Sequence, residues 1–223
     1  MTQHIERSAE LLVAALEEFG EGAFATSSFQ TQGMPLLHLV SLHAPRMPVF
    51  FIDTGFHFVE THRYLSEVWA RLQLRVVMLQ RGPEAQSEAY QAREGGDTDR
   101  CCHLMKVEPL AGLLDAQHRI RPSCWVSGVR HGQTRARDSL EEREKTPQGV
   151  TRIHPLLDWT DEQVEEYISD HSLPRHPLHS AGYSSIGCRP CTVPGRGRSG
   201  RWPGQEKEGC GIHNLVSRDT CED

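Results

Sequence analysis

The segment PVFFIDTG (residues 48–55) decides the fold. It is an apolar run that stops at Asp-Thr-Gly, which is typical of a buried strand that ends in a turn. A predicted helix from about Phe58 to Leu72 follows it, and then a second strand candidate, LQLRVVML (72–79). Strand, helix and strand at this spacing predict parallel pairing with helices on both faces of the sheet.

The remaining predicted elements continue this alternation of helix and strand. Apolar residues recur at helical spacing in three more segments, and two further apolar runs are typical of strands. The predicted helices cover 4–19, 34–44 and 160–171, the last with Thr160 as its N-cap, and the predicted strands cover 22–28 and 123–130. We therefore expect an α/β fold built on a mostly parallel sheet.

The composition narrows the class of protein. The 223 residues carry a formal net charge of −6, which argues against a general nucleic-acid-binding protein. No apolar run approaches the ~20 residues of a membrane-spanning helix, and the acidic, amphipathic start of the chain does not resemble a secretory signal. We therefore expect a cytoplasmic protein whose seven cysteines are reduced. Cys124 is expected in the core, and Cys221 is expected to be a bystander.

Ligands of such sheets bind beyond the carboxyl ends of the strands. The loops predicted there are TSSFQTQG (26–33), DTGFHF (53–58) and GVRHGQTR (128–135). In the first loop, Ser27, Ser28 and backbone N–H groups precede a predicted helix, which suits an anion. The alternative is that these serines only cap the helix.

Four cysteines form a set with unusual spacing. Cys101 and Cys102 are adjacent, whereas Cys188 and Cys191 form a CxxC turn that is typical of half a metal site. Adjacent residues on a helix point roughly 100° apart, so one zinc ion would bind both thiolates awkwardly, while two iron corners of a cluster would each accept one. The spacing favours a [4Fe–4S] cluster, with zinc or unrelated thiols as alternatives.

Two further residues suggest chemistry beside this set. Lys106 lies four residues after Cys102, so on a helix it shares that face and could donate to a sulfur or to an anion; the alternative is a solvated lysine. Cys210 lies between glycines after a segment rich in Gly, Pro and Arg, and cationic neighbours favour a nucleophilic thiolate. His213 could contact the same anion or aid proton transfer. The alternative is an incidental cysteine on a disordered tail.

The amino-acid composition of the sequence changes after Cys191. The following residues are rich in Gly, Pro and Arg and offer almost nothing to bury. We therefore divide the chain into an α/β domain (1–193) and a mobile C-terminal arm (194–223) that carries Cys210.

Taken in order, CCHLMKVEPL, SIGCRPCTVP, GRW and CGIH resemble the iron–sulfur adenylylsulfate reductases, a branch of the adenylylsulfate and phosphoadenylylsulfate reductase family. FIDTGFHFVET and PLHSAGYSSIGC are similar to further segments of that family. The resemblance covers residues from about Ala23 to Asn214. It implies a Rossmann-like, adenine nucleotide α-hydrolase fold.

The resemblance also implies an activity: reduction of adenylylsulfate (APS) to sulfite and AMP through an S-sulfocysteine on Cys210, which thioredoxin or a similar dithiol resolves. The implied ligands of a [4Fe–4S] cluster are Cys101, Cys102, Cys188 and Cys191. The residues implied to contact the substrate are Lys106, Arg130, Arg198, Arg201 and His213 at the phosphosulfate, Ser27 and Ser28 in the phosphate loop, and Asp53, Thr54 and Gly55 near the nucleotide. A homo-oligomer is compatible with the sequence.

The sequence departs from the family pattern at several positions. Met105 stands where a basic residue is common, Gly209 replaces a glutamate before Cys210, and the arm keeps only Trp202 of several tryptophans. The loop SSFQTQG (27–33) is closer to the phosphoadenylylsulfate (PAPS) branch, so a PAPS reductase or a dual-specificity enzyme is the alternative. A zinc-stabilised binding module is a weaker alternative. An enzyme that cleaves ATP at its α-phosphate is also weaker, because it requires a loop of the type SGGxDS, which this sequence lacks.

Overall fold

The computed structural model describes residues 1–115, 122–146 and 149–213, so Cys221 lies outside the described residues. The helices are α1 (Thr2–Phe19), α2 (Met34–His43), α3 (Val59–Leu72), α4 (Pro83–Glu94), α5 (Thr98–Cys102), α6 (Glu108–Leu114), α7 (Arg135–Asp138) and α8 (Asp161–Asp170). The strands are β1 (Ala23–Thr26), β2 (Pro48–Asp53), β3 (Arg75–Gln80), β4 (Cys124–Ser127), β5 (Arg143–Lys145) and β6 (Thr151–Ile153). None of the described helices is long and apolar enough to cross a lipid bilayer.

The described strands form one sheet in the order β3-β2-β1-β4-β6-β5. All neighbouring pairs are parallel except β5 with β6, which is antiparallel. The prediction of a mostly parallel sheet is therefore confirmed. The strand order reverses between β1 and β4, and in open parallel sheets such a reversal opens a crevice at the carboxyl ends of the strands.

Helices cover both faces of this sheet, as predicted. Side chains alternate across each strand, so Phe24 points to one face of the sheet while Ala25 points to the other. The larger core cluster takes apolar side chains from α1, α2, α3 and α8. The cluster on the other face joins Phe24, Phe50 and Trp125 to Leu110 and Leu113 of α6. The cysteine in β4, Cys124, is fully buried in the larger cluster, which confirms its prediction as a core residue.

The predicted helices are confirmed to within two residues, but the predicted strands are shorter than expected, and the one at 72–79 begins only at Arg75. β1 ends at Thr26, because the following Ser27 and Ser28 belong to the loop, and β4 ends at Ser127. Thr160 does cap α8, in a capping box with Gln163. Helix α4 was not predicted, because Ala89 is its only fully buried residue and it shows no apolar stripe.

The segment after residue 193 packs on the domain over its described part, residues 194–213, here called the arm. The expectation that the arm buries almost nothing is wrong: Trp202 is 3% and Arg201 is 8% exposed. The backbone N–H of Trp202 donates to the Cys191 carbonyl at 3.0 Å, and the backbone of Arg201 forms an isolated antiparallel bridge with Thr192. A side chain on Gly187 would overlap the Arg201 guanidinium, so this glycine permits the close approach. The boundary at 193/194 stays a prediction.

Candidate active site

A cleft of about 1700 Å³ opens at the carboxyl ends of β1, β2 and β4. Its walls are the loop after β1, the loop after β4 and the arm. The sequence-predicted site residues that line it are Ser27, Ser28, Lys106, Arg130, Arg198, Arg201, Cys210 and His213. Residues from distant parts of the chain thus meet in one place, although their individual roles stay predictions.

The loop after β1 combines a capping serine with an open one. The Ser27 hydroxyl accepts the Phe29 N–H at 3.1 Å, as in a simple turn, whereas Ser28 is exposed. Phe29 lies in the left-handed region with φ 48°, and its fully buried ring packs edge-on against Phe51. Packing thus holds this non-glycine residue in an unfavourable backbone conformation, which is a common feature of ligand-binding loops.

Asp53, Thr54 and Gly55 do not line the cleft, and their predicted contact with the nucleotide stays a prediction. The Asp53 carboxylate accepts the Gly55 N–H at 2.9 Å and the Gln80 amide at 3.1 Å, so it organises the end of β2. The Thr54 hydroxyl lies 3.3 Å from the Cys188 sulfur. Thr54 therefore belongs to the surroundings of the cysteines.

The four cysteines of the predicted set line one small cavity beside the cleft, together with Thr54 and Lys106. Cys101, Cys102, Cys188 and Cys191 are each 7–9% exposed, and none of them forms a disulfide. Burial, followed by the neighbouring thiols, raises the pKa of Cys101 to about 11. Among the described residues, no three His, Cys, Asp or Glu side chains are placed around a single point where one metal ion could bind.

Lys106 lies between this cavity and the cleft. α5 continues into a π-helical turn over His103–Val107, a wider turn that is frequent at functional sites. Burial alone would lower the Lys106 pKa, but the thiols of Cys188, Cys210 and Cys102 outweigh it and raise the pKa above its ordinary value. The Lys106 ammonium thus faces the cysteine cavity and the Cys210 thiol together.

Cys210 is half-buried at the end of the arm. Burial acts to raise its pKa, but Lys106, the Ile212 N–H, Arg201 and Arg137 outweigh burial and hold the pKa below its ordinary value. Cations and an N–H donor favour the thiolate form. The structure therefore places a thiol with enhanced thiolate character at the wall of the cleft.

The cations of the cleft fall into two groups. Arg130 is paired with Asp161, and Arg152 lies 3.3 Å from the carboxylate of Glu144. In contrast, Lys106, Arg137 and Arg201 have no carboxylate within ion-pair distance in the described parts of the chain. Burial and the nearby Arg198 lower the pKa of Arg137 to about 10. Positive charge concentrated around Cys210 in this way suits an anionic ligand.

Sequence reasoning missed two of these arginines. Arg137 follows the predicted ligand loop (128–135) by two residues, and the signal was the run TRARD at its end. Arg152 lies inside the short buried strand β6, where a charged residue in TRI was the signal. The structure also stacks the His213 ring on Trp125, and its predicted role at the anion stays a prediction.

The chain matches known reductases along most of its length. Residues 22–194 match the model of the phosphoadenosine phosphosulfate reductase domain. The adenosine 5′-phosphosulfate reductase of Halalkalibacterium halodurans is 37% identical in an alignment that covers 96% of this chain and 95% of that protein. The phosphoadenosine 5′-phosphosulfate reductase of Gloeobacter violaceus is 36% identical, with 95% and 92% covered. A phosphate complex of the phosphoadenylyl-sulfate reductase of Candida auris superposes with a TM-score of 0.68, at 28% identity, over 83% of this chain and 90% of that chain.

Proposed function

The chain belongs to the phosphoadenosine phosphosulfate reductase family, and we propose that it reduces APS to sulfite and AMP. One observation carries this proposal: the Cys210 thiol, with its lowered pKa, lies in the sheet-end cleft beside Lys106 and Arg201. A thiolate among cations suits attack on a sulfur atom that is bonded to anionic oxygens.

In the first step, the Cys210 thiolate attacks the sulfur of APS. A sulfur–sulfur bond forms, the sulfur–oxygen bond to the phosphate breaks, and AMP leaves with the electron pair of that bond. Cys210 is left as S-sulfocysteine. Lys106, Arg137 and Arg201 supply cations that are not paired with described carboxylates, and these neutralise the oxygens around the reacting sulfur.

In the second step, a dithiol such as thioredoxin supplies two electrons. One of its thiolates attacks the Cys210 sulfur and expels sulfite, and its second thiol then releases Cys210 as the dithiol becomes a disulfide. The partner needs access to Cys210. This thiol is half-buried between Gly209 and Gly211, near the end of the described chain, rather than enclosed in the core.

The proposed function includes a [4Fe–4S] cluster, which Cys101, Cys102, Cys188 and Cys191 would hold. The donor set fits: four buried thiols from two separate segments line one cavity, and none is used in a disulfide. A cluster offers a separate iron to each thiolate, which adjacent cysteines require. When bound, it supplies a fixed charge distribution beside Lys106. Measured zinc without acid-labile sulfide would favour the alternative of a purely structural metal site.

The choice of APS over PAPS rests on charge. The first turns of α8 bring Asp161, Glu162 and Glu165 to the cleft wall, and Asp161 already neutralises Arg130. The cations without a carboxylate partner lie instead around Cys210, where one phosphosulfate group accounts for them. In the described part of the chain a second phosphate has no comparable set of cations, although the loop SSFQTQG (27–33) keeps PAPS as the second candidate substrate.

The test is sulfite release by anaerobically purified protein with thioredoxin, comparing APS with PAPS at equal low concentration. We expect a strong preference for APS, and no sulfite from either nucleotide with Cys210→Ser. A preference for PAPS would show that the loop after β1, rather than the charges of the cleft, indicates the substrate. Absence of sulfite with both nucleotides would refute the proposed function.

A further inference from the structure

The end of the arm lies on a row of side chains that crosses the sheet. Trp125 of β4 is in register with Arg152 of β6, and Arg152 is in register with Glu144 of β5. Neighbours in register share a face of the sheet. The His213 ring stacks on the Trp125 ring, with an interplanar angle of 3° and centroids 5.4 Å apart.

Arg152 ties this stack together. Its guanidinium lies 5.1 Å from the centre of the Trp125 ring, and its two terminal nitrogens lie 3.5 Å from the His213 carbonyl and 3.4 Å from His213 Nδ1. On the other side it faces Glu144 at 3.3 Å, and Glu144 is itself 3.2 Å from His154. The Arg152 side chain is only 3% exposed, so its position is fixed by these neighbours.

The connection from this row to the thiol is short. Ile212 packs against the apolar cluster that contains Trp125, and it lies only two residues after Cys210. Gly211, with φ 85°, reverses the chain between them, a conformation that favours glycine. A displacement of His213 therefore displaces Cys210, which is three residues away.

We infer that Trp125 and Arg152 form a docking seat for Ile212 and His213, and that this seat holds Cys210 at the cations of the cleft. The inference rests on the proposed function for its consequence in catalysis, where Trp125 and Arg152 are positioning residues. A nucleophile held in place reacts faster than one on a free segment because less orientational freedom is lost in the transition state.

Protease protection tests the seat without any substrate. The chain has three lysines, Lys106, Lys145 and Lys207, so endoproteinase Lys-C cleaves it at few sites. Cleavage after Lys207 needs local release of the arm. We expect Arg152→Gln and His213→Ala each to speed this cleavage about tenfold, and the double variant to fall well short of the product of the two effects, because each removes the contact between the Arg152 guanidinium and the His213 ring.

Several outcomes of that experiment decide against the seat. Unchanged cleavage after Lys207 in His213→Ala, or additive effects in the double variant, would overturn it. Equal acceleration at Lys145, in the edge strand β5, would show that Arg152 merely stabilises the sheet edge. If Arg152→Gln fails to fold, His213→Ala paired with Ile212→Ala keeps the test, because both lie on the arm.

Kinetics then separate positioning from substrate binding. We expect Arg152→Gln and His213→Ala to lower kcat for APS about tenfold and to leave KM within about twofold, with non-additive effects in the double variant. A raised KM at unchanged kcat would mean that Arg152 binds the substrate directly, which would overturn the positioning role. Because the protease test needs no turnover, a failure of the seat is distinguishable from a failure of the proposed function.

Discussion

The two halves of the site differ in how closely they are tied to the sheet. Ser27 directly follows β1, and its backbone N–H donates to the Phe50 carbonyl of β2 at 3.1 Å. Arg130, in the loop after β4, is buried and donates to the Trp159 carbonyl and the Asp161 carboxylate.

The arm contributes no strand to the sheet over its described residues, and it is held by scattered contacts, such as the backbone bond from Trp202 to the Cys191 carbonyl and the stack of His213 on Trp125. Under the proposed function, one thiol meets first a nucleotide and then a dithiol, and a segment that is tied less closely to the sheet suits that change of partner. Of the cations near Cys210, Lys106 and Arg137 belong to the domain, whereas Arg201 belongs to the arm itself.

The largest effect is expected on the arm. Cys210→Ser should reduce sulfite formation at least about 10⁴-fold, because a hydroxyl cannot replace the thiolate as nucleophile. Its iron content should remain that of the unmodified protein, since Cys210 is not one of the proposed cluster ligands. Cys221→Ser, eleven residues further along the sequence, is the matched control and should keep full activity. Turnover by Cys210→Ser would remove Cys210 as the nucleophile.

The next effect belongs to the domain. Cys102→Ser should lower the iron and acid-labile sulfide content to background, because it removes one of four buried thiols around the cavity. Both contents are measured colorimetrically on anaerobically purified protein, with Cys210→Ser as the variant that keeps them. Unchanged iron would count against ligation by Cys102, and zinc in its place would support the structural alternative.

Lys106 links the two halves of the site, and its substitution should have a smaller effect than the two cysteine substitutions. Lys106→Ala should slow formation of S-sulfocysteine about 10²-fold, because it removes one cation from the transition state. AMP release in a single turnover, without reductant, isolates this step. The free energy of unfolding should change far less than the rate. Normal single-turnover kinetics would exclude this role for Lys106.

The pH dependence of Cys210 reactivity tests the same role of Lys106. The folded-state pKa of Cys210 is lowered, so its thiolate persists below the ordinary thiol pKa of about 8.5. The stability contributed by the thiolate is complete above that pH and is lost as the pH falls through the lowered pKa. Alkylation of Cys210 with iodoacetamide, followed at the peptide level, should show a midpoint below 8.5 that moves upward in Lys106→Ala. An identical midpoint in both proteins would show that Lys106 does not set the pKa.

The sequence was sufficient to predict the four strands β1 to β4 and the mostly parallel sheet, but not the short strands β5 and β6. Apolar runs that end at turns, as at Asp53, predict strands, and the rare spacing of Cys101 and Cys102 predicts their joint use. The role of Arg152 could not be predicted, because it depends on the register of β6 with β4, which places Arg152 beside Trp125, a residue distant along the chain. The burial of Trp202 likewise depends on contacts that no local pattern encodes.

The smallest effect is expected for the contact of Lys207, in the second half of the described arm, with helix α5. Lys207 Nζ lies 3.1 Å from the Thr98 carbonyl and 2.5 Å from the Asp99 carboxylate, so it fastens the arm to α5, the helix that carries Cys101 and Cys102. Asp99 is 90% exposed in its side chain, and pairs that reach the solvent contribute little. We expect Lys207→Gln to slow S-sulfocysteine formation only about threefold.

The matched control for this contact is Asp99→Asn, which leaves the Thr98 carbonyl bond in place. It should have a smaller effect than Lys207→Gln, and the double variant should be no slower than Lys207→Gln alone, because Asp99 acts only through Lys207. Single-turnover AMP release measures all three variants. A loss in Lys207→Gln as large as that in Lys106→Ala would mean that Lys207 contacts the substrate, so that the arm would supply binding charge as well as the nucleophile.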